Sequence, residues 1–223
     1  NNCIESTGYA KVLDKMAKTK PKTSKYKWKE IEQCNKENSV LLLPKNIKFN
    51  FEKEFDIPLY KKGKNYVNLK PTKELGYIFG TFLGDGTCKI VYRKTGSISS
   101  ASISWTFNKN EQWVVDKLND AIFKTFNRVG KVKQKKNVLI VTYYDMPFTK
   151  FIHDFGKRTN KHLPANLLVD NNEYLEGLFD GLMDSDGHNN RERLTFTNTS
   201  KRLIELFNVL SYKLYGHFPN NTE

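Results

Sequence analysis

The clearest pattern along the chain is an almost unbroken run of apolar residues between Lys73 and Gly84. A helix that is apolar on nearly every face must be buried, so this run predicts a central helix. Glu173–Met183, which three acidic residues interrupt, predicts a second buried helix. Strand-like stretches follow both runs, and the pattern therefore predicts a unit that occurs twice.

The segment after the first helix predicts a hairpin and a second helix. Cys88–Arg93 and Ala101–Phe107 show the alternation of strands, with a turn around Gly96 between them. Glu111–Phe126 then predicts a helix capped by the Asn110 side chain, because apolar residues recur there at helical spacing. These residues are Trp113, Val114, Leu118, Ile122 and Phe126.

The same alternation returns further along the chain. Val129–Lys133 and Val138–Tyr144 predict another hairpin, and Pro147 opens a helix that runs to about Phe155. A basic loop over Gly156–Pro164 leads to the second buried helix. After it we expect a strand and an amphipathic helix, over Leu194–Thr199 and over Lys201–Tyr215 with Gly216 at its end.

The order of these elements predicts an α+β protein with two related repeats. Residues 1–70 form a basic N-terminal region, residues 71–164 the first repeat and residues 165–223 the second. The first repeat runs helix, hairpin, helix, hairpin, helix, whereas the second runs only helix, strand, helix. We therefore expect a second repeat that is truncated before its last hairpin and helix.

The charge of the chain favours a nucleic-acid partner. Its 37 Lys and Arg outnumber 24 Asp and Glu, for a net charge of +13, and such chains attract phosphate backbones. Residues 1–70 hold sixteen Lys and no Arg against eight acidic residues. A run this basic is commonly a solvated arm, but Tyr26 and Trp28 among the lysines favour an ordered DNA-contacting surface. Val40–Leu43, ended by Pro44, predicts a short buried strand there.

The cysteines and the short apolar runs argue against two other classes of protein. Cys3, Cys34 and Cys88 have neither zinc-site spacing nor the pattern of a disulfide framework. No apolar run is long enough to span a membrane, and none resembles a signal peptide. We expect an intracellular protein, in the cytoplasm or nucleoid of a prokaryote or phage host, or in the nucleus or an organelle of a eukaryote.

The two buried helices share the same ending. Residues 75–86 read LGYIFGTFLGDG and residues 175–187 read LEGLFDGLMDSDG, so Asp85 and Asp186 stand 101 residues apart in equivalent positions. Small residues four apart share one helix face and let two helix backbones approach closely. If the helices pack side by side, the two acids emerge together. The predicted helix-seam residues are Gly80, Gly84, Gly181 and Ser185.

Two carboxylates held at one place repel each other and attract cations. Mg²⁺ prefers oxygen ligands, and it takes one or two protein carboxylates together with waters and phosphate oxygens. Metal held in this way hydrolyses phosphodiesters, because it activates water and stabilises the leaving oxygen. A lone Asp-Gly after an apolar helix usually marks only a turn. Two in register within a basic chain indicate a site for Mg²⁺, with Mn²⁺ as its substitute.

The paired motifs also carry a family resemblance. FDGLMDSDG at residues 179–187 resembles the motif that names the LAGLIDADG homing endonucleases, and IFGTFLGDG at residues 78–86 is a looser copy. The resemblance covers about residues 72–223. It implies two pseudo-symmetric αββαββα repeats, with motif helices at the central seam and hairpins forming a saddle on double-stranded DNA. It further implies a monomer that cuts both strands of a long site across a minor groove, leaving short 3′ overhangs.

The resemblance assigns roles to individual residues as well. The last Asp of each motif binds metal in this family, so Asp85 and Asp186 are the expected catalytic metal ligands, with the carbonyls of Gly84 and Ser185 as secondary ligands. A Lys or Gln often lies near the metals, and Lys89 is the first candidate. Base and phosphate contacts are expected from Arg93, Ser102, Ser104, Thr106, Lys131, Lys133, Gln134, Lys136, His188, Arg191, Arg193, Thr195 and Thr197.

A shorter resemblance concerns the N-terminal region. YKWKEIEQC at residues 26–34 and VLLLPKN at residues 40–46 are similar to the stretch before the endonuclease in intein-associated enzymes of the yeast vacuolar-ATPase and mating-type switching type. There the stretch belongs to the protein-splicing domain, which also touches DNA. Splicing itself is not expected, because residue 1 is Asn rather than a Cys or Ser nucleophile.

Three interpretations of function stay open at this point. The first is a site-specific endonuclease of a mobile element. The second is a binding module on the same scaffold, either an intron maturase or a DNA-binding regulator that does not cut. The third is an intein whose splicing halves lie outside the chain. Paired acids that face phosphate weaken binding unless a metal offsets them, which favours the endonuclease.

Overall fold

The computed structural model describes residues 11–15, 26–30, 39–40, 57–62, 65–189, 194–216 and 219. The chain divides into two compact units, Asn1–Ile47 and Lys48–Glu223. In the first unit, strand β1 (Lys11–Lys15) pairs antiparallel with β2 (Tyr26–Glu30) and with β3 (Ser39–Val40). Strand β3 is the described part of the strand predicted over Val40–Leu43; the rest lies outside the described residues.

The described part of the second unit begins with a hairpin that the apolar pattern did not predict. Strands β4 (Ile57–Lys62) and β5 (Asn65–Leu69) pair antiparallel just before the first motif helix. The signal was weak because β4 ends in Lys61 and Lys62, and Asn65 and Asn68 leave β5 with only three apolar residues. This region therefore holds more regular structure than a solvated basic arm would.

Helix α1 (Lys73–Asp85) confirms the first predicted buried helix. Thr72 caps it by accepting a hydrogen bond from the Leu75 backbone N–H at 3.2 Å. Every residue from Leu75 to Leu83 is buried. Helix α4 (Asn172–Asp186) is its counterpart, capped by the Asn171 side chain. Both helices end directly in strands, so their last residues lie at the edge of the core.

A four-stranded antiparallel sheet covers one side of α1. Its strands are β6 (Gly86–Tyr92), β7 (Ile98–Asn108), β8 (Lys131–Lys135) and β9 (Val138–Tyr143), in the spatial order β6-β7-β9-β8. Alternate residues of β7 are buried, as a sheet packed on one face requires. They are Ala101, Ile103, Trp105 and Phe107.

Helices α2 (Gln112–Phe126) and α3 (Met146–His153) complete the first repeat, and α2 corrects two expectations. Asn110 does not cap it: Glu111 occupies the cap position, and its carboxylate accepts from the Asn108 N–H at 2.7 Å rather than capping the helix. The Asn108 side chain in turn accepts from the Asn110 N–H at 3.1 Å. Trp113 does not join the core either, because it is 56% exposed. It lies beside the buried stripe that begins at Val114.

The second repeat has a short hairpin and one long helix in its described part. Strands β10 (Gly187–Asn189) and β11 (Leu194–Phe196) pair antiparallel, and α5 (Lys201–Tyr215) follows. Gly216 ends α5 in a left-handed conformation, with φ of 73°, as predicted. The strand is shorter than expected, because residues 197–200 form the connection to α5. Within the described residues no helix is long and apolar enough to cross a membrane.

Candidate functional site

Helices α1 and α4 lie side by side in the same direction, with their backbones in contact. A Cβ atom built on Gly181 would lie 2.5 Å from the Tyr77 carbonyl oxygen, 2.7 Å from the Thr81 nitrogen and 2.9 Å from the Gly80 Cα. At these distances any side chain at Gly181 would clash with the backbone of α1 unless the two helices moved apart. The small residues of the two motifs therefore set the distance between the helices.

The seam extends further than the four small residues recognised in the sequence. A Cβ on Gly76 would lie 2.8 Å from the Leu178 nitrogen, and one on Gly177 would lie 3.0 Å from the Tyr77 nitrogen. Each of these glycines precedes a seam glycine by four residues. The same spacing rule would have identified both, because it continues one turn towards the helix starts.

This parallel packing brings the two acidic helix ends together. A Cβ on Gly84 would lie 3.0 Å from the Asp186 carboxylate oxygen Oδ2, so the second acid faces the end of the first helix. Ser185 turns its hydroxyl back into its own helix, where it donates to the Gly181 carbonyl at 2.8 Å. That leaves the carboxylates of Asp85 and Asp186 as the side-chain donors for a cation at the seam.

The surroundings of the two acids disfavour their charged forms. Burial raises the pKa of Asp85 to about 7, and the neighbouring Asp186 adds to this, while Lys161 opposes it. Burial also raises the pKa of Asp186, against the opposing effects of Asn198 and Lys161. Neither motif helix carries a basic residue in its last turn. The negative ends of two helix dipoles thus lie beside two carboxyl groups, and this arrangement favours the binding of a cation.

Lys161 supplies part of that charge. Its ammonium Nζ donates to the carbonyl oxygens of Gly84 and Phe82, at 2.5 Å and 3.0 Å. Burial lowers the pKa of Lys161, and both acids counteract this. The Ser200 hydroxyl donates to the Lys161 carbonyl at 2.7 Å and so anchors the loop. The sequence showed Lys161 only as part of a basic loop, because 77 residues separate it from Gly84.

Asn198 forms a hydrogen bond with Asp186 that has no counterpart at Asp85 among the described residues. Its side-chain amide donates to Asp186 Oδ2 at 2.7 Å. In the two hairpins Gly86 pairs with Trp105 and Gly187 pairs with Phe196, so Asn198 corresponds to the buried residue Phe107. The first acid has no matching amide on its hairpin. The two carboxylates therefore occupy equivalent positions, but the side chains that contact them differ between the two repeats.

Six of the predicted DNA-binding and catalytic residues share one face of the four-stranded sheet. Directly paired residues in antiparallel strands point to the same side. Ser102 pairs with Lys89, while Thr142 pairs with both Ser104 and Lys131. Ile140 likewise pairs with both Thr106 and Lys133, so these two residues lie on the same side of the sheet. This polar sheet face consists of Lys89, Ser102, Ser104, Thr106, Lys131 and Lys133.

The remaining candidates lie elsewhere. Gln134 pairs with the buried Leu139 and so belongs to the opposite face, at the sheet edge. Arg93 and Lys136 are exposed in the two hairpin turns, Lys136 with φ of 53°. On the second hairpin His188 and Thr195 are a cross-strand pair, and exposed Thr197 follows them. Arg191 and Arg193 lie outside the described residues.

Lys89, the candidate basic residue near the metals, is exposed on the polar sheet face. The ammonium that contacts the end of α1 is that of Lys161. Across residues 69–189 and 194–216, no group of three or more His, Cys, Asp or Glu side chains could hold a metal by itself. The residues present fit a hard cation that takes two carboxylates and completes its shell with water and phosphate oxygens.

These features define an α+β scaffold with two repeats, whose seam presents paired acids beside a basic sheet. No protein-family model matches the sequence, and a search of curated proteins finds no match. Among solved structures, mesophilic variants of the homing endonuclease I-DmoI are 15% identical over 65% of this chain and 79% of theirs, with a TM-score of 0.50. I-DmoI with DNA and Mn is 14% identical over 66% and 80%, with a TM-score of 0.50. The LAGLIDADG fold expected from the motifs is confirmed.

Proposed function

We propose that this protein is a site-specific LAGLIDADG endonuclease that cuts both strands of a DNA target by metal-dependent hydrolysis. The observation that carries the proposal is the meeting of Asp85 and Asp186 at the ends of two helices in backbone contact. A fold of this kind serves many functions, so the argument rests on the site. The fold's similarity to I-DmoI, which has been solved with DNA and Mn, supports the same reading.

The charges of the site suit phosphodiester hydrolysis. Asp85 and Asp186 would hold Mg²⁺, with Mn²⁺ as a substitute, and the carbonyls of Gly84 and Ser185 would assist. The metal would supply an activated water and stabilisation of the leaving oxygen. Lys161, directed at the first acidic helix end, is the residue we assign beside the reacting phosphate, in place of Lys89. Its positive charge would stabilise the charge that develops on the phosphate oxygens.

The polar sheet face supplies the binding surface in this proposal. Its three lysines would contact phosphates, which positions the duplex without reading sequence. Ser102, Ser104 and Thr106 would reach base edges in the major groove, where side-chain hydroxyls can donate or accept. The hairpin turns with Arg93 and Lys136 would extend the contact along the duplex. Affinity from such phosphate contacts weakens steeply with salt.

Plasmid cleavage tests the proposal directly. The protein is incubated with a library of long candidate sites, including the element-free host allele, in Mg²⁺ or in Ca²⁺. Discrete double-strand breaks are expected in Mg²⁺ only, and neither Asp85→Asn nor Asp186→Asn should yield them. The matched control is Asp120→Asn, which changes an exposed acid paired with Lys124 on the surface of α2. An Asn variant at either motif that still makes double-strand breaks would refute the assignment.

Selective binding without breaks in any metal would instead support the maturase or regulator.

Three finer points belong to the same proposal. The two repeats in one chain would let the protein act as a monomer. Residues 1–70 would add DNA contacts and would share an origin with the splicing domain of intein-associated endonucleases. The protein would act inside the cell, where its DNA target lies.

A further inference from the structure

The ammonium group of Lys161 occupies the place where the first motif would offer its carbonyl to a metal. Its Nζ donates to the Gly84 carbonyl at 2.5 Å and to the Phe82 carbonyl at 3.0 Å. The Phe82 carbonyl also accepts the closing hydrogen bond of α1 from the Gly86 N–H, whereas Gly84 lies among the last residues, whose carbonyls a helix leaves without an intrahelical partner. The last turn holds no basic residue of its own. A lysine from a distant loop therefore caps this helix end.

The electrostatic balance explains why a cation is held there. Asp85 and Asp186 bring two carboxyl groups to the ends of two parallel helices, where the negative ends of both helix dipoles also lie. Among the described residues, the cation facing both acids is Lys161. Its ring contact with Phe82, 5.6 Å from the centroid, and the Ser200 hydrogen bond keep its chain in place.

We propose that Lys161 is a built-in cation of the metal-free protein, which binds the end of α1 through Gly84 and is displaced from that carbonyl when a divalent metal binds. The inference rests on the proposed function, because it assumes the metal site at the two acids. The inference assigns Lys161 two positions. In the metal-free protein Lys161 holds the helix ends together, and in the metal-bound protein its freed ammonium faces the DNA phosphate.

The stability of the metal-free protein gives the first test. Lys161→Met keeps the length and the apolar stem of the side chain but removes its charge. In EDTA we expect its Tm to fall by about 3 to 6 °C, and saturating Ca²⁺ should restore most of the loss. The matched control is Lys157→Met, which removes an exposed lysine from the same loop. Its Tm should stay within about 1 °C of the unmodified protein.

Metal affinity gives the second test, measured by calorimetry with Ca²⁺ and without DNA. Binding to Lys161→Met no longer displaces an internal cation, so its Kd should fall about tenfold. For Lys157→Met, where an exposed and solvent-screened charge is lost, the change should stay within about twofold. If Kd changed equally in the two variants, the loss of one positive charge would account for the whole change in metal affinity. That result would overturn the displacement of Lys161 by the metal.

The displacement itself is visible in the ammonium NMR signals of lysine side chains, with the Lys161 signal assigned by its loss in Lys161→Met. On titration with Mg²⁺ that signal should move to the position of solvated lysines and saturate with metal binding. A Lys161 signal that stays unchanged while metal binds would overturn the inference and leave the endonuclease proposal standing. If no metal binds and no Mg²⁺-dependent cleavage occurs, both the inference and the proposed function fail.

Discussion

The helix seam makes a sharp prediction for Gly181→Ala. The added methyl carbon would lie 2.5 Å from the Tyr77 oxygen and 2.9 Å from the Gly80 Cα, well inside van der Waals contact. Both obstructing atoms belong to the backbone of α1, so no side chain can turn aside. The helices must separate by about 1 Å to admit the methyl group, and adding atoms to a packed core costs about 1 to 3 kcal/mol.

Two effects of Gly181→Ala on unfolding oppose each other. Ala is a better helix former than Gly by about 1 kcal/mol. Because rigid backbone faces the new methyl group, we take the upper end of the packing cost and expect a net loss of about 2 kcal/mol. Ser185→Ala is the control for unfolding, since its Cβ already fits and its hydroxyl bonds only within α4. It should change the unfolding free energy by less than about 1 kcal/mol.

The same separation should damage cleavage more than stability. A displacement of about 1 Å at a catalytic group can cost about 100-fold in rate. Urea unfolding gives the free energy, and plasmid cleavage in Mg²⁺ under conditions where Gly181→Ala is fully folded gives the rate. If Gly181→Ala unfolded like the unmodified protein and cut at the same rate, the helices could not be in backbone contact, and the account of the seam would be refuted.

Three further changes test other parts of the site. Tyr77→Phe removes the hydroxyl that donates to Asp184 at 2.8 Å, so urea unfolding should show a loss of about 1 kcal/mol; no loss would make this bond unimportant. Asn198→Ala frees the second acid alone, so gels should show nicked plasmid accumulating during cleavage; an equal slowing of both cuts would contradict the asymmetry. Because the folded pKa of Asp85, about 7, exceeds its unfolded value of 3.8, ionising it costs stability as pH rises between these values. In EDTA at about pH 8, Asp85→Asn should therefore melt higher than the unmodified protein, with no difference at about pH 4; a constant difference would refute the burial of this acid.

The sequence predicted the elements whose pattern is local and strong. Helix α1 was predicted because apolar residues fill nearly every face of it, and α4 because it repeats the motif of α1. Their Gly-x-x-x-small spacing indicated the seam. The β4–β5 hairpin was missed because its strands are short and polar residues, Lys61 and Lys62 in β4 and Asn65 and Asn68 in β5, dilute their apolar pattern. Trp113 was expected on the buried face of α2 because it is apolar and has helical spacing. It is exposed because it lies at the edge of the apolar stripe of α2, where only tertiary packing decides whether a residue is covered.

The acids of the site could be predicted, whereas their partners could not. Asp85 and Asp186 sit in repeated motifs, so spacing alone identified them. Lys161 and Asn198 reach the site from a loop and from a strand end, and no local pattern marks either residue. Contacts of this kind arise from tertiary packing. They are visible only once the chain path is known.

Duplication within one chain explains why the two halves of the site differ. The seam constrains both motif helices equally, because Gly76 and Gly80 face the backbone of α4 while Gly177 and Gly181 face the backbone of α1. The connections carry no such constraint, so Lys161 could come to serve the end of α1 while Asn198 came to hold Asp186. A symmetric dimer of identical chains must present the same support twice. In a tandem repeat each acid can acquire its own partner. For the cleavage proposed above, the order in which the two DNA strands are cut would then depend on residues outside the motifs.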